Sequence, residues 1–186
     1  DPQRDIDRVT RILDDEGVAL KAVFETHIHN DYVTGGYALA QERGADYYVN
    51  AQDEVSFERT PIVDTQVVEI SPTMSVKALA TPGHTFTHLS YVLLDPTSDD
   101  EDARGQVVFS GGSLLFGATG RPDLLGAAHT HELVRHQYNS AHRLAAELPD
   151  HTEIMPTHGF GSFCAATQTE GTESTIGREK RINPVL

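Results

Sequence analysis

The sequence predicts a mixed α/β domain, on three observations. Short apolar, β-branched runs alternate with stretches whose apolar residues recur at helical spacing. Three histidine-bearing segments, around His27, His84 and His158, each follow one of those runs. A length of 186 residues is enough for one domain with a substantial core.

Asp5 to Glu16 places Ile6, Val9, Ile12 and Leu13 at helical spacing, and Gly17 stops the helix. Lys21 to Thr26 reads as a buried strand. Val33 to Arg43 reads as a helix ended by Gly44, and Tyr47 to Val49 as a short strand. Pro61 interrupts Asp53 to Asp64, which is expected to be irregular. Val67 to Ile70 and Ser75 to Ala80 are strands joined at Ser71-Pro72, as in a hairpin. Leu89 to Leu94 and Gln106 to Phe109 are strands on either side of an exposed acidic turn, Asp99 to Asp102. His131 to Leu148 is the longest helix, with Val134, Tyr138, Ala141, Ala145 and Leu148 as its buried stripe. Thr152 to Met155 is the last strand, and the segment after it is expected to be a short helix, Glu173 to Arg181, or a partly ordered tail. No internal repeat and no linker divides residues 1–186, which are expected to form a single domain.

The charge balance, 14 Lys and Arg against 28 Asp and Glu, gives a net charge of −14. That argues against nucleic acid and against anionic membranes as partners. No apolar run is long enough to span a bilayer, and no signal peptide is visible. One cysteine rules out an internal disulfide and a cysteine zinc cluster, so a reducing cytoplasm is the simplest expectation. The chain opens on Asp1-Pro2 without an initiator Met, as a piece of a longer polypeptide would.

The chemistry concentrates in Glu25-Thr26-His27-Ile28-His29-Asn30-Asp31-Tyr32. Residues two apart at a strand end point the same way, so His27 and His29 can aim at one ion, with Asp31 as a third inward group. Thr81-Pro82-Gly83-His84-Thr85 and Pro156-Thr157-His158-Gly159 add further imidazoles at the ends of later strands. These segments resemble the metallo-β-lactamase superfamily over nearly the whole chain. The resemblance is closest to its persulfide-dioxygenase and rhodanese-linked branch, on Gly111 to Leu115, Gly120-Arg121-Pro122-Asp123-Leu124-Leu125 and His158 to Cys164.

The resemblance implies a four-layer αββα sandwich that lacks its first strands in this chain. A sheet edge would then stand open to pairing, which makes a homo-oligomer a candidate assembly. It also implies a rhodanese domain downstream. Of the two metal positions in the superfamily pattern, the first would use His27, His29 and His84, all present. The second would use Asp31 and His158, but Tyr32 stands where a histidine belongs and Gly112 where the bridging aspartate belongs. A neutral tyrosine is a poor ligand, its pKa lying near about 10, and glycine offers no side chain. A two-metal hydrolase is therefore not expected.

One ferrous ion fits better, as in the persulfide dioxygenases, with a thiol persulfide and O₂ as substrates. There the resemblance implies His27 and His84 with an aspartate at position 112, which is missing. His29, Asp31 or Asp123 could take its place; His29 needs no rearrangement. A vacant site is the remaining outcome. Arg121 would position the thiol substrate, or pair with Asp123 as a structural ion pair. Cys164 would carry a sulfane sulfur, or be an inert buried thiol. Tyr32 would hydrogen-bond substrate or metal-bound water, or simply pack. His88 is expected to be a structural hydrogen-bonding histidine. The rival functions are a one-zinc, Zn(II)-dependent hydrolase of a thioester-type bond and a metal-poor, non-catalytic relative.

Overall fold

The computed structural model describes residues 1–29, 32–98, 105–157 and 173–186. The chain forms two compact units, Asp1–Ile62 and Val63–Leu186. In the first, α1 (Asp7–Glu16) closes on Gly17, whose φ of +64° belongs to the left-handed region. β1 (Ala22–Phe24) leads through α2 (Gly36–Arg43) to β2 (Asp46–Asn50), parallel to it with Val23 opposite Tyr47. This is a βαβ unit, in which a helix carries the chain back so that the next strand can run parallel. Val23, Leu39, Ala40, Tyr47 and Val49 are its core, with Ile6, Val9, Leu20 and Phe57 packed against it.

β3 (Thr60–Ile62) adds to β2 in parallel, where an irregular segment was expected. Pro61 is the reason for the difference. Proline removes one ladder donor, which excludes a central strand but not an edge strand. Pro61 is exposed and pairs with Val49 at the end of the order β1-β2-β3.

The second unit holds a five-stranded sheet in the order β4-β5-β6-β7-β8. β4 (Val67–Ser71) and β5 (Met74–Ala80) form the expected antiparallel hairpin. β6 (Leu89–Leu94) and β7 (Val107–Gly111) continue antiparallel, and β8 (Glu153–Pro156) returns parallel to β7 after α3 (Ala127–Glu147). α4 (Ile176–Ile182) closes the chain. Leu79, Val92, Val108, Leu114, Ala141, Leu144, Leu148, Ile154 and Ile176 form the core. Among the described residues no helix is long and apolar enough to cross a membrane.

α3 differs from its expected stripe. It starts at Ala127, and its buried residues are Leu133, Gln137, Ser140, Ala141 and Leu144, whereas Val134 and Tyr138 are exposed. The helix turns its polar Gln137 and Ser140 inward because two loops below it need partners. The Ser140 hydroxyl donates to the Pro82 carbonyl at 2.6 Å, and the Gln137 amide donates to the Ser113 carbonyl. Leu133→Ala and Leu144→Ala are each expected to cost about 2–5 kcal/mol in chemical denaturation. Val134→Ser should stay within about 0.5 kcal/mol, as surface changes do.

Candidate metal centre

His27 and His29 leave the carboxyl end of β1, as the strand reading predicts. Glu25 still donates its N–H to the Tyr48 carbonyl at 3.0 Å, so the segment remains tied to β2. Asp1 completes the tie from a distant part of the unit. Its carboxylate accepts from the Thr26 N–H and the Thr26 hydroxyl, both at 2.6 Å. The Thr26 hydroxyl therefore spends its proton on Asp1. Its oxygen, 2.9 Å from His27 Nδ1, must accept from that ring. His27 thus carries its proton on Nδ1 and its lone pair on Nε2, and it is buried at 3% exposure.

His29 is oriented the other way. Its Nε2 lies 3.3 Å from the Asp1 carboxylate and 3.6 Å from the Glu25 carboxylate, with the Tyr32 hydroxyl at 3.1 Å. Two carboxylates beside Nε2 favour the proton on that nitrogen, and a neutral ring then has its lone pair on Nδ1. The His27 and His29 rings lie 4.1 Å apart, and Tyr32 packs 4.3 Å from His29. Asp1, Glu25 and His29 place ligand atoms within 4.8 Å of one another. Both Asp1 oxygens already accept from Thr26, so its carboxylate acts first as the brace for the two rings. Glu25 is braced in turn: Thr34 donates to it at 2.5 Å and Tyr47 at 3.0 Å. Burial, and then the Glu25 charge, push the Tyr47 phenol well above its ordinary pKa. Gly36 leaves the room for this carboxylate, since a Cβ there would stand 2.1 Å from Glu25 Oε1.

In the second unit, His84 follows β5. Its Nδ1 lies 3.0 Å from the Arg121 carbonyl, which only accepts. His84 therefore also holds its proton on Nδ1 and its lone pair on Nε2. His88 behaves differently. The Gly112 N–H donates to its Nε2 at 2.9 Å, so its proton sits on Nδ1, 2.8 Å from the Thr81 hydroxyl. That is the structural histidine the sequence suggests, fully buried at 0% exposure.

Arg121 reaches Asp123 with two parallel hydrogen bonds, Nε to Oδ1 at 2.9 Å and Nη2 to Oδ2 at 2.6 Å. Both Asp123 oxygens are thus engaged by a guanidinium, which disfavours Asp123 as a metal ligand. The hydrogen bonds from Arg121 hold the Asp123 carboxyl below its usual value. Asp31, His158 and Cys164, with the acidic turn Asp99 to Asp102, lie outside the described residues.

The donor chemistry fits a metal. Imidazoles ligate through a neutral nitrogen while the other N–H is held by an oxygen, and His27, His29 and His84 each meet that condition. The sequence reading missed Asp1, Glu25 and Thr26 as the braces and Gln137 and Ser140 as the clamps on the His84 loop. Glu25 and Thr26 adjoin the histidine pair, which is a usable signal. Asp1 carries no local signal at all.

No family model matches the chain. Among curated proteins, it is 27% identical to the probable polyketide biosynthesis zinc-dependent hydrolase BaeB of Bacillus velezensis, over 87% of this chain and 66% of that protein. It is 28% identical to a hydroxyacylglutathione hydrolase of Methylobacillus flagellatus, over 82% of this chain and 54% of that one. The chain thus spans about half to two thirds of these relatives' length. Among solved structures, a metallo-β-lactamase from Staphylococcus aureus is 29% identical with a TM-score of 0.88, covering 100% of this chain and 54% of that one. ETHE1 from Myxococcus xanthus is 29% identical with a TM-score of 0.77, covering 99% and 71%. The α/β fold expected from the sequence is the one these neighbours have.

The Arg121 pair gives a pH expectation. A carboxyl whose folded pKa is depressed adds stability above its unfolded value, near about 3.9. That contribution is lost as pH falls through the folded value. Arg121→Gln should move the Asp123 carboxyl upward towards the ordinary range, read from its side-chain carbon shift in an NMR titration.

Proposed function

We propose that this chain, whose fold is that of the metallo-β-lactamases, is a mononuclear non-haem iron dioxygenase that oxidises a low-molecular-weight thiol persulfide. His27, His29 and His84 are its proposed iron ligands. Gly112 removes the aspartate that both the two-ion pattern and the ferrous pattern place there, so the observation that carries a one-ion reading is the set of imidazoles, His27, His29 and His84, whose orientation is fixed by neighbouring oxygens. A dinuclear hydrolase clamps and activates water between its ions, and that clamp needs the missing ligand. One ferrous ion with open positions supplies O₂ activation instead. The persulfide's terminal sulfur, O₂ and water give sulfite and the free thiol.

The chain's own residues orient and bind. Thr26 and the Arg121 carbonyl fix the N–H of His27 and His84, and the Asp1 and Glu25 carboxylates beside His29 Nε2 favour its proton there. A guanidinium carries five N–H donors, so pairing with Asp123 is compatible with Arg121 also receiving a carboxylate of a thiol peptide. Tyr32, 3.1 Å from His29 Nε2, is a proposed hydrogen-bond partner for the substrate. Cys164 is the proposed sulfane-sulfur carrier, and Asp31 and His158 are the remaining candidate ligands. The ETHE1 likeness supports this reading.

A second reading is a one-zinc hydrolase of a thioester-type bond. The names of the zinc-dependent hydrolase and the hydroxyacylglutathione hydrolase support it. Anaerobic loading with Fe(II), followed by O₂ uptake with glutathione persulfide, separates the two. The expected result is one iron per chain and persulfide-dependent uptake, abolished in His84→Ala. Thioester turnover with Zn(II) and none on the persulfide with Fe(II) would establish the hydrolase. Thr26→Val should weaken metal affinity by about 10- to 100-fold, measured by competition with a chelating dye, because it frees the His27 ring.

A further inference from the structure

His84 and position 112 compete for the same space. A Cβ built on Gly112 would stand 2.4 Å from His84 Cδ2, 2.7 Å from Cγ and 3.1 Å from Nε2. Real Cβ atoms essentially never come within 3.0 Å of another heavy atom, so the first two contacts mean that the ring or the backbone would have to move. The neighbouring Gly120 closes the cradle from the other side. Its N–H donates to the Gly112 carbonyl at 2.9 Å. A Cβ on Gly120 would meet that carbonyl oxygen at 2.1 Å and His84 Nδ1 at 3.1 Å. Neither glycine has a positive φ, so space rather than backbone conformation demands them.

The surroundings hold the ring in this cradle. The Arg121 carbonyl takes the Nδ1 proton. His88 anchors the Gly112 N–H, so the backbone at 112 cannot retreat without breaking a fully buried hydrogen bond. Gln137 packs against the Gly83 turn, with its Cα 2.4 Å from where a Gly83 Cβ would stand, and this blocks retreat of the His84 loop.

We infer that Gly112 and Gly120 are positioning residues for His84, and that its imidazole occupies the volume a side chain at 112 would need. The chain has therefore not merely lost an oxygen ligand there. It has closed the place from which one could act. An aspartate returned to position 112 displaces His84 rather than adding a second ion site. The inference deepens the one-ion reading and rests on it for its functional meaning, but the packing claim is tested without metal.

The test is a double-mutant cycle on the metal-free protein, with Gly112→Ala, His84→Ala and the pair. Gly112→Ala alone is expected to lower Tm by about 2–10 °C, as overpacking of a filled interior does. In the His84→Ala background the same change should cost less than about a quarter of that, because the ring is gone. The ¹⁵N signals of the His84 ring should change in Gly112→Ala, while those of His88 keep their Nδ1–H pattern. Gly120→Ala should repeat the ring shift. Equal losses of Tm in both backgrounds, or an unchanged His84 ring signal, would overturn the inference. Co(II) titration adds the ligand readout: Gly112→Asp should bind no second ion and bind the first at least about 10-fold more weakly. Two tightly bound ions in Gly112→Asp would equally overturn it. Absence of persulfide oxidation by the wild type, with the cycle as expected, would reject the proposed reaction and leave the packing claim standing.

Discussion

A neutral imidazole has one proton and one lone pair, and the group facing the proton decides which nitrogen offers the lone pair. The proposed metal centre depends on that choice being made in advance. An oxygen acceptor holds the Nδ1 proton of His27 and of His84, and nearby carboxylates favour a proton on Nε2 of His29. His88 obeys the same rule and also carries its proton on Nδ1, but the Gly112 amide consumes its lone pair. The residue type is shared by all four. A backbone N–H on its accepting nitrogen is what marks His88 as a structural histidine.

The braces carry a cost that the fold has to meet. Glu25 is 1% exposed, and Asp1 lies beside it at one end of the first unit. Buried carboxylates are tolerated when donors surround them, and each hydrogen bond to a charged group contributes about 1.5–3 kcal/mol. Thr26 gives Asp1 two such bonds, and Thr34 and Tyr47 give Glu25 two more. The small residue Gly36 and the parallel pairing of β1 with β2 bring these donors to the carboxylates. The site is thus built from the inside of the βαβ unit outward.

Much of the scaffold was legible because it obeys periodic rules. The β4–β5 hairpin, the strands β6 and β7 and the glycine stop of α1 follow from alternation and turn residues. Two misreadings share one cause. Local composition makes Pro61 a strand breaker and Val134 with Tyr138 part of a buried stripe, but tertiary neighbours decide these positions. An edge position excuses the proline. Loop carbonyls at Pro82 and Ser113 recruit Ser140 and Gln137 and so rotate the helix away from its most apolar face. Within the candidate site, the histidines and the gap at Gly112 were readable from spacing and resemblance. Asp1 was not, since a contact across 25 positions leaves no trace in a local window.

The far end of the chain bears on the same loop. Glu179 of α4 is completely buried, and its carboxylate accepts from the Gly117 N–H at 2.8 Å, the Ser174 hydroxyl at 2.5 Å and the Asn183 amide at 2.9 Å. Asn183 also donates to the Ala118 carbonyl at 3.0 Å. Three neutral donors offset the desolvation of one charge and in doing so fasten α4 to residues 117 and 118. Two residues further on, Gly120 closes the cradle and Arg121 offers the carbonyl that sets the His84 tautomer. An apolar contact could have held α4 in place, but it would have left the Gly117 N–H and the Ala118 carbonyl without these partners and the loop free to slide. A directional polar anchor fixes the loop in register, and that register is what presents the right nitrogen of His84.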